Sequence, residues 1–387
     1  MKRKKPFTPA SDLEELIPIL IMEWRKLHRL PPGPLHALQT REFRSLVEAV
    51  IRHQKEKDDS DKELLGAYLL YDWILHYQQG LSLIQELPHT PRRVLDLFSR
   101  SAPFALASLR SGSQEVVALD PSLPALNIGT VVCGKFGYPI SIRQHDCLDL
   151  NFPIAGKWDL IIVGHALLRA LASTEQQADY IRSLLQRLSE NGHLLLVESS
   201  VLQDNRQFLT LRDTLVREGA IIAAPCIWKG SCPALQHSSS PCFAQRKFEK
   251  PFLIKEIQRA AQINLSSLKM SYLILKCPAT GWPRLEEKDL YRVISPPIDT
   301  FRGKRHFLCG TDGKKTLGTR LQEHPKQSRA YEYLQRGDLI SIKNPLSVKD
   351  DFEITPDTEI KLEAPCGKPV PEIEEHLLYN MNDGLNG

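Results

Sequence analysis

Three cysteines fall close together in "APCIWKGSCPALQHSSSPCFAQR", residues 224 to 246, of a chain that has only eight. Cys226 and Cys232 have five residues between them, and Cys232 and Cys242 have nine. Pro, Gly and Ser are so frequent in this stretch that it cannot easily close an apolar core of its own. A bound metal would supply folding free energy directly. Thiolates favour zinc or an iron–sulfur cluster, and either commonly wants four protein ligands. The spacing lacks the two close pairs of zinc ribbons and fingers, and it lacks the tight CxxxCxxC run of radical enzymes. A fourth ligand has to come from elsewhere: Cys277, ending "SYLILKC", or Cys309, in "HFLCGTDG". His237 and His306 could instead complete a mixed zinc site, and three small thiols packing a loop are the plain alternative.

A second group of candidates is carboxylate. Asp96 closes the strand-like "VLD" of "VLDLFSR", Asp120 stands at the tip of "VVALD", and Asp146 lies in "HDCLDL". This is the layout by which doubly wound methyltransferases hold S-adenosylmethionine, with ligands at the carboxyl ends of the strands. The loop from Asp96 to Pro103, Ser99 included, would cradle the methionine part. Asp120 would accept the ribose hydroxyls and Asp146 would face the adenine amino group. Against this, "FSRSAPFA" (98 to 105) has no glycine to let backbone approach a ligand, and Pro103 removes an amide donor. Asp120 and Asp146 could equally cap helices. The segment after the fourth strand, "WDLIIVGHALLRA", lacks the Asn/Asp-Pro-Pro-aromatic pattern of many amino methyltransferases. No catalytic residue is assigned; His165 could act as a base but fits a structural role better. Whether the chain is an enzyme therefore stays open.

Such candidates need elements to hold them. Residues 11 to 90 carry helical apolar spacing and almost no glycine, which predicts about four helices in an N-terminal domain spanning 1–90. Next, "RVLDLF", "EVVALD", "SIRQHD", "WDLIIVG", "GHLLLVES" and "AIIAAP" alternate with helical stretches, predicting a parallel doubly wound α/β domain over 91–225. The cysteine-rich segment and a last strand, "MSYLILKC", fill 226–285. Residues 286–345 read as a β-rich, basic extension with Gly and Pro turns, and 346–387 as an acidic tail expected to be poorly ordered.

Bulk properties narrow the class. A length of 387 residues exceeds what one core usually organises. No apolar run approaches a membrane span; "LIPILIM" is broken by Pro18 and followed by Glu23. The basic start "MKRKKPF" lacks the apolar core of a signal peptide, so a cytoplasmic location is expected, where cysteines are free or metal-bound rather than paired. The net charge of +4 divides into −7 from Leu346 onward and +11 before it, a basic excess that suits a nucleic-acid partner. Oligomeric state is not assigned.

In "LVREGAIIAAPC", "CPAL", "CFAQR", "SYLIL", "YRVISPP", "HFLCGTDGK" and "GDL" the sequence resembles methyltransferase-like proteins associated with the mitochondrial small ribosomal subunit, a family with bacterial members. The resemblance covers roughly residues 85 to 345. It implies a Rossmann-like methyltransferase domain and a [4Fe–4S] cluster on Cys226, Cys232, Cys242 and Cys309. It also implies a role on the small ribosomal subunit or its precursor through rRNA, and it demotes Cys277. This chain departs from the family in its glycine-free loop and in Ile227, where proline is common.

Overall fold

The computed structural model describes residues 9–33, 40–56, 61–236, 241–278, 289–301, 303–310, 313–320, 325–349 and 351–370. In chain order the first elements are α1 (Pro9–Leu27), α2 (Thr40–Glu56), α3 (Lys62–Leu70), α4 (Asp72–Ile84), β1 (Arg93–Leu97), α5 (Pro103–Arg110) and β2 (Glu115–Asp120). Then come α6 (Leu123–Lys135), β3 (Ser141–Gln144), β4 (Trp158–Gly164), α7 (Leu167–Ala170), α8 (Thr174–Leu185), β5 (Leu188–Glu198) and α9 (Leu202–Arg217). After β6 (Ile222–Ala224), β7 (Ala244–Arg246), α10 (Phe252–Ala260) and β8 (Leu268–Lys276), eight short strands follow. These are β9 (Leu290–Val293), β10 (Ile298–Thr300), β11 (Gly303–Gly310), β12 (Gly313–Gly318), β13 (Leu339–Lys343), β14 (Leu346–Val348), β15 (Asp351–Glu353) and β16 (Glu359–Ala364).

The chain divides into two compact units, the first made of residues 1–84, 90–166 and 246–269, the second of 85–89, 167–245 and 270–387. In the first unit, parallel strands run in the order β3-β2-β1-β4, with Asp96 of β1 in register with Ala118 of β2 and Ile162 of β4. Apolar runs bury most of β1, β2 and β4, as "EVVALD" and "WDLIIVG" predict, whereas the edge strand β3 is largely exposed. Helix starts follow their capping chemistry: Asp61 accepts the Leu64 amide at 2.8 Å, and Ser122 accepts that of Ala125 at 3.4 Å. The N-terminal helices are pinned to the strand-connecting helices by buried polar contacts. Asp12 of α1 takes the Tyr77 hydroxyl at 2.7 Å and pairs with Arg110 of α5 at 2.9 Å, and Glu23 pairs with Lys135 of α6 at 2.7 Å.

In the second unit β8 lies between β5 and β6 and is antiparallel to both, a direction that "MSYLILKC" by itself leaves open. Periodicity shows that a strand exists but not its direction, which is set here by the long connection from β6 through the cysteine stretch and α10. The other sheet of this unit has the order β14-β15-β12-β11-β9-β13-β16, with β10 on β11. Its core is Val293, Leu308, Leu317, Ile340, Ile342 and Phe352.

The acidic segment from Leu346 differs from its expectation: through Ala364 it forms β14, β15 and β16. In "DFEIT" and "EIKLEA" the charged residues alternate with Phe352, Ile354 and Ile360, which are buried in that core. Net charge hid a period of two. Residues 371–387 of the tail lie outside the described residues.

Candidate metal centre and cofactor loop

Helix α9 organises the cysteine stretch. Its inward positions Asn205, Phe208, Arg212 and Leu215 recur at helical spacing and are buried, so two polar side chains are carried into the interior. Asn205 grips the backbone of Cys242 at both ends, donating to its carbonyl at 2.7 Å and accepting its amide at 3.1 Å. The Asp213 carboxylate accepts the Cys232 amide with both oxygens, at 2.9 and 3.0 Å. Arg212 donates to the carbonyls of Trp228 and Gly230 and pairs with Asp213 at 2.8 Å. One helix therefore fixes the backbone at two of the three clustered cysteines.

The β-rich sheet supplies the other wall. Ile227, next to Cys226, is buried with Leu290, Leu339 and Ala364. Arg292 of β9 donates to the Pro225 carbonyl at 3.1 Å, and Arg336 stacks on Phe243 at 4.2 Å. On β11, Phe307 and Cys309 share a face, and both line a cavity of about 250 Å³ together with Cys232, Cys242, Lys314 and Arg336. Gly310 must be glycine, because a β-carbon there would meet the Tyr291 ring at 2.4 Å.

Cys309 thus arrives beside the cysteines of the insert. Burial first, and then the facing Cys226 and Cys232 thiols, push the Cys309 thiol up to about 12. Burial and Cys226 lift Cys232 to about 11, and burial with Cys226, Cys232 and Cys309 lifts Cys242 well above the ordinary thiol range. Arginines oppose the rise: Arg212 and Arg292 act on Cys309, Arg212 on Cys232, and Arg336 on Cys242. As they stand, no group of three or more His, Cys, Asp or Glu among the described residues is drawn into ligand geometry. The donor set nonetheless fits a metal centre in kind: Cys232, Cys242 and Cys309 line one cavity, the Cys226 thiol acts on all three, and cations lie around them.

The other metal candidates separate from this group. Cys277 donates its amide to the Gly192 carbonyl and does not line the cavity that Cys232, Cys242 and Cys309 share. His306, three residues before Cys309 on β11, faces the other way, buried against the Ser295 carbonyl and edge-on to Tyr331 at 5.3 Å. His237 lies outside the described residues.

In the first unit the loop after β1 follows a path that glycines usually take. Phe98, Arg100 and Ala102 have φ of 55°, 52° and 64°, so three non-glycine residues alternate in the left-handed region. Asp96 is buried; its Oδ2 accepts the Ser99 hydroxyl at 2.5 Å and the Ala105 amide at 3.0 Å, while its Oδ1 has no partner. Burial pushes Asp96 up to about 7 against the pull of those two bonds, with Asp120 adding to the rise. Asp120 is itself buried and accepts the Arg100 amide at 2.9 Å and the Ser122 amide at 2.8 Å, one on each oxygen. Asp146 is exposed and turns back to accept the Leu148 amide at 3.0 Å. Its neighbour Cys147 is the buried one, accepting the Phe98 amide at 3.3 Å. His165, at the end of β4, stacks on His76 at 4.0 Å and bonds Gln79 at 2.8 Å. That packing accounts for His165 without substrate.

The acid that would face the ribose is closed by the chain's own amides, and Arg100 turns its guanidinium onto Tyr68 at 4.7 Å. Sequence reasoning missed Asn205, Arg212, Asp213, Arg292 and Arg336. The signal available was an Asn and an Arg on the apolar face of the helical pattern in "LQDNRQFLTLRDTLVR".

The parallel β3-β2-β1-β4 arrangement with its connecting helices, and an antiparallel β8 between β5 and β6, define a Rossmann-like methyltransferase fold. The chain belongs to the Rsm22 family, whose model, described as mitochondrial small ribosomal subunit Rsm22, matches residues 82–338. Comparison with curated proteins gives no match. Among solved structures it is similar, at 15% identity, to a protein of the SAM-dependent methyltransferase class from Streptococcus mutans (TM-score 0.35; 51% of this chain). The chain spans about half of that protein's length, 48%. It is also similar to ribosomal protein L11 methylase from Lactobacillus delbrueckii subsp. bulgaricus (16% identity, 52% of this chain and 76% of that one, TM-score 0.32). Magnesium protoporphyrin IX methyltransferase from Synechocystis PCC 6803 gives 12% identity, 71% and 99% coverage and a TM-score of 0.36. The fold assignment rests on strand order and family membership. Among the described residues no helix is long and apolar enough to cross a membrane.

Proposed function

We propose that the chain is a ribosome-associated methyltransferase-like protein that binds rRNA of the small subunit or its precursor. In this reading it carries a [4Fe–4S] cluster on Cys226, Cys232, Cys242 and Cys309. The observation that carries this is the placement of Cys309, 67 residues beyond Cys242, on the cavity that Cys232 and Cys242 line. Bound there, a cluster would cross-link the insert to the β-rich sheet through four thiolates. Asn205 and Asp213 would hold the ligand-bearing backbone, and loading would release the thiol protons. Family membership supports the ribosomal assignment, and the +11 charge before Leu346 supports an rRNA partner.

Iron and acid-labile sulfide in protein purified without oxygen test the reading, with about four of each per chain expected. One equivalent of zinc and no sulfide would replace it with a zinc-stabilised nucleic-acid-binding protein. The partner is tested by capture of small-subunit precursor, which should weaken steeply as salt rises.

A second reading, an active S-adenosylmethionine-dependent rRNA methyltransferase, is favoured by the unpartnered Asp96 Oδ1 and the retained loop path. Calorimetry tests it, and no heat at millimolar cofactor removes it.

A further inference from the structure

We propose that the buried Arg212 and Arg292 and the half-buried Arg336 form a cationic shell that stabilises the negative charge of a four-thiolate iron–sulfur centre and sets its reduction potential. This rests on the cluster reading above. Arg212 is 1% exposed and Arg292 is 7% exposed. Each of the three keeps one guanidinium nitrogen buried without a partner: Nε of Arg212, Nη2 of Arg292 and Nε of Arg336. Among the described residues, the hydrogen bonds of Arg292 go to neutral carbonyls, those of Pro225 at 3.1 Å and Gly337 at 2.8 Å. Arg336 leans on the face of Phe243. Arg212 already has the Asp213 carboxylate at 2.8 Å, but burying the Arg292 guanidinium on neutral partners costs several kcal/mol, on the order of what one buried ion loses in hydration, which an anion at the thiols would offset.

The three arginines come from different parts of the chain: α9, β9 and the turn before β13. They converge on the side where the thiols lie. Arg212 acts on Cys226 and Cys232, Arg292 on Cys309, and Arg336 on Cys242. Arg336 and Lys314 also line the cavity with Cys232, Cys242 and Cys309. Four thiolates on an oxidised [4Fe–4S] core leave a dianion, and one electron from a chemical reductant makes it a trianion. Each buried guanidinium favours the trianion more than the dianion, so the shell raises the potential, because net charge and hydrogen bonding to the sulfurs are the protein's means of tuning it. Arg292 and Arg336 are positioning residues in this scheme and touch no substrate.

The test uses the full chain loaded anaerobically. Iron and sulfide on the wild type decide the cluster reading, and their absence overturns that reading and the shell with it. Redox titration followed by absorbance and electron paramagnetic resonance then compares wild type with Arg292→Met and Arg336→Met. Each loss of charge is expected to lower the midpoint by about 59 mV, a tenfold shift in the one-electron equilibrium. An unchanged midpoint in both variants at full iron content overturns the shell while leaving the cluster in place. Should the Met variants lose iron on isolation, Arg336→Lys decides: retained iron and a wild-type potential support the shell, and iron loss equal to that of Arg336→Met overturns it.

Discussion

The two candidate sites leave opposite kinds of polar group unfilled. At the loop after β1, the acceptors are taken up: both Asp120 oxygens and one Asp96 oxygen hold hydrogen bonds from the chain itself. Around the cysteines it is donors that are left over, three guanidinium nitrogens buried beside four thiols. A buried polar group without a partner carries a desolvation penalty, so it marks where a counterpart is missing. The first site keeps one unpartnered acceptor, Asp96 Oδ1, and the second keeps three unpartnered donors. On the proposed reading the methyltransferase fold serves as the frame and the insert it carries holds the metal centre.

The largest expected effect breaks that contrast at the second site. Cys242→Ser or Cys309→Ser removes a thiolate from a buried position and should abolish most of the bound iron and lower soluble yield. The same change at Cys277, which does not line the cavity of Cys232, Cys242 and Cys309, should leave iron at the wild-type level. Equal iron in Cys309→Ser and wild type would mean that Cys309 is not a ligand. Asn205→Ala is expected to come next. It frees the Cys242 amide and carbonyl and loses the bond to Ser271, at a cost of about 3 kcal/mol. Denaturant unfolding of the apo protein measures this, and a loss below about 0.5 kcal/mol would show that the clamp is dispensable.

The sequence made the frame legible but not the clamp. Strands β2 and β4 coincide with "EVVALD" and "WDLIIVG" because continuous apolar runs bounded by turns specify buried strands. Cys226, Cys232, Cys242 and Cys309 stand out as candidates because cysteine is scarce in this chain and the motifs around it resemble those of a family. Asn205, Arg212 and Asp213 were hidden in an amphipathic helix, where a polar residue on the inner face looks like noise until its partner is placed. The left-handed path at Phe98, Arg100 and Ala102 was hidden for another reason: without glycine, nothing in the residue types announces positive φ. The strands of the acidic tail were masked by charge, which composition weighs and periodicity does not.

A third prediction concerns the first site and is smaller. Asp96, lifted to about 7 by burial, binds its proton more tightly folded than unfolded. Between its unfolded value near 4 and about 7, the unfolded chain has released this proton while the folded chain keeps it. The contribution to stability is therefore largest at low pH and falls as pH rises through that window. Asp96→Asn should remove the fall, so unfolding midpoints at about pH 5 and about pH 8 should differ less in the variant than in wild type. Equal pH slopes would place the ionised carboxylate in the native loop and would favour a working cofactor site.

The smallest effect sharpens the comparison most, because it asks whether side chains or backbone close the first site. Arg100→Gly relieves a left-handed residue, worth about 1 kcal/mol, and loses the stacking on Tyr68, worth about 0.5–1 kcal/mol. Its net stability change should be within about 0.5 kcal/mol of zero, which thermal unfolding can bound. The double variant Phe98→Gly/Arg100→Gly restores glycine at two positions that already have glycine geometry. If side chains are the obstacle, S-adenosylhomocysteine should bind it at least about tenfold more tightly than wild type in calorimetry, a difference of about 1.4 kcal/mol. If wild type already binds at micromolar ligand and Asp120→Ala abolishes that binding, the Arg100 and Ser122 amides yield Asp120 to the ribose. The loop would then be a site that opens for its ligand, and the contrast between the two sites would reduce to one of occupancy.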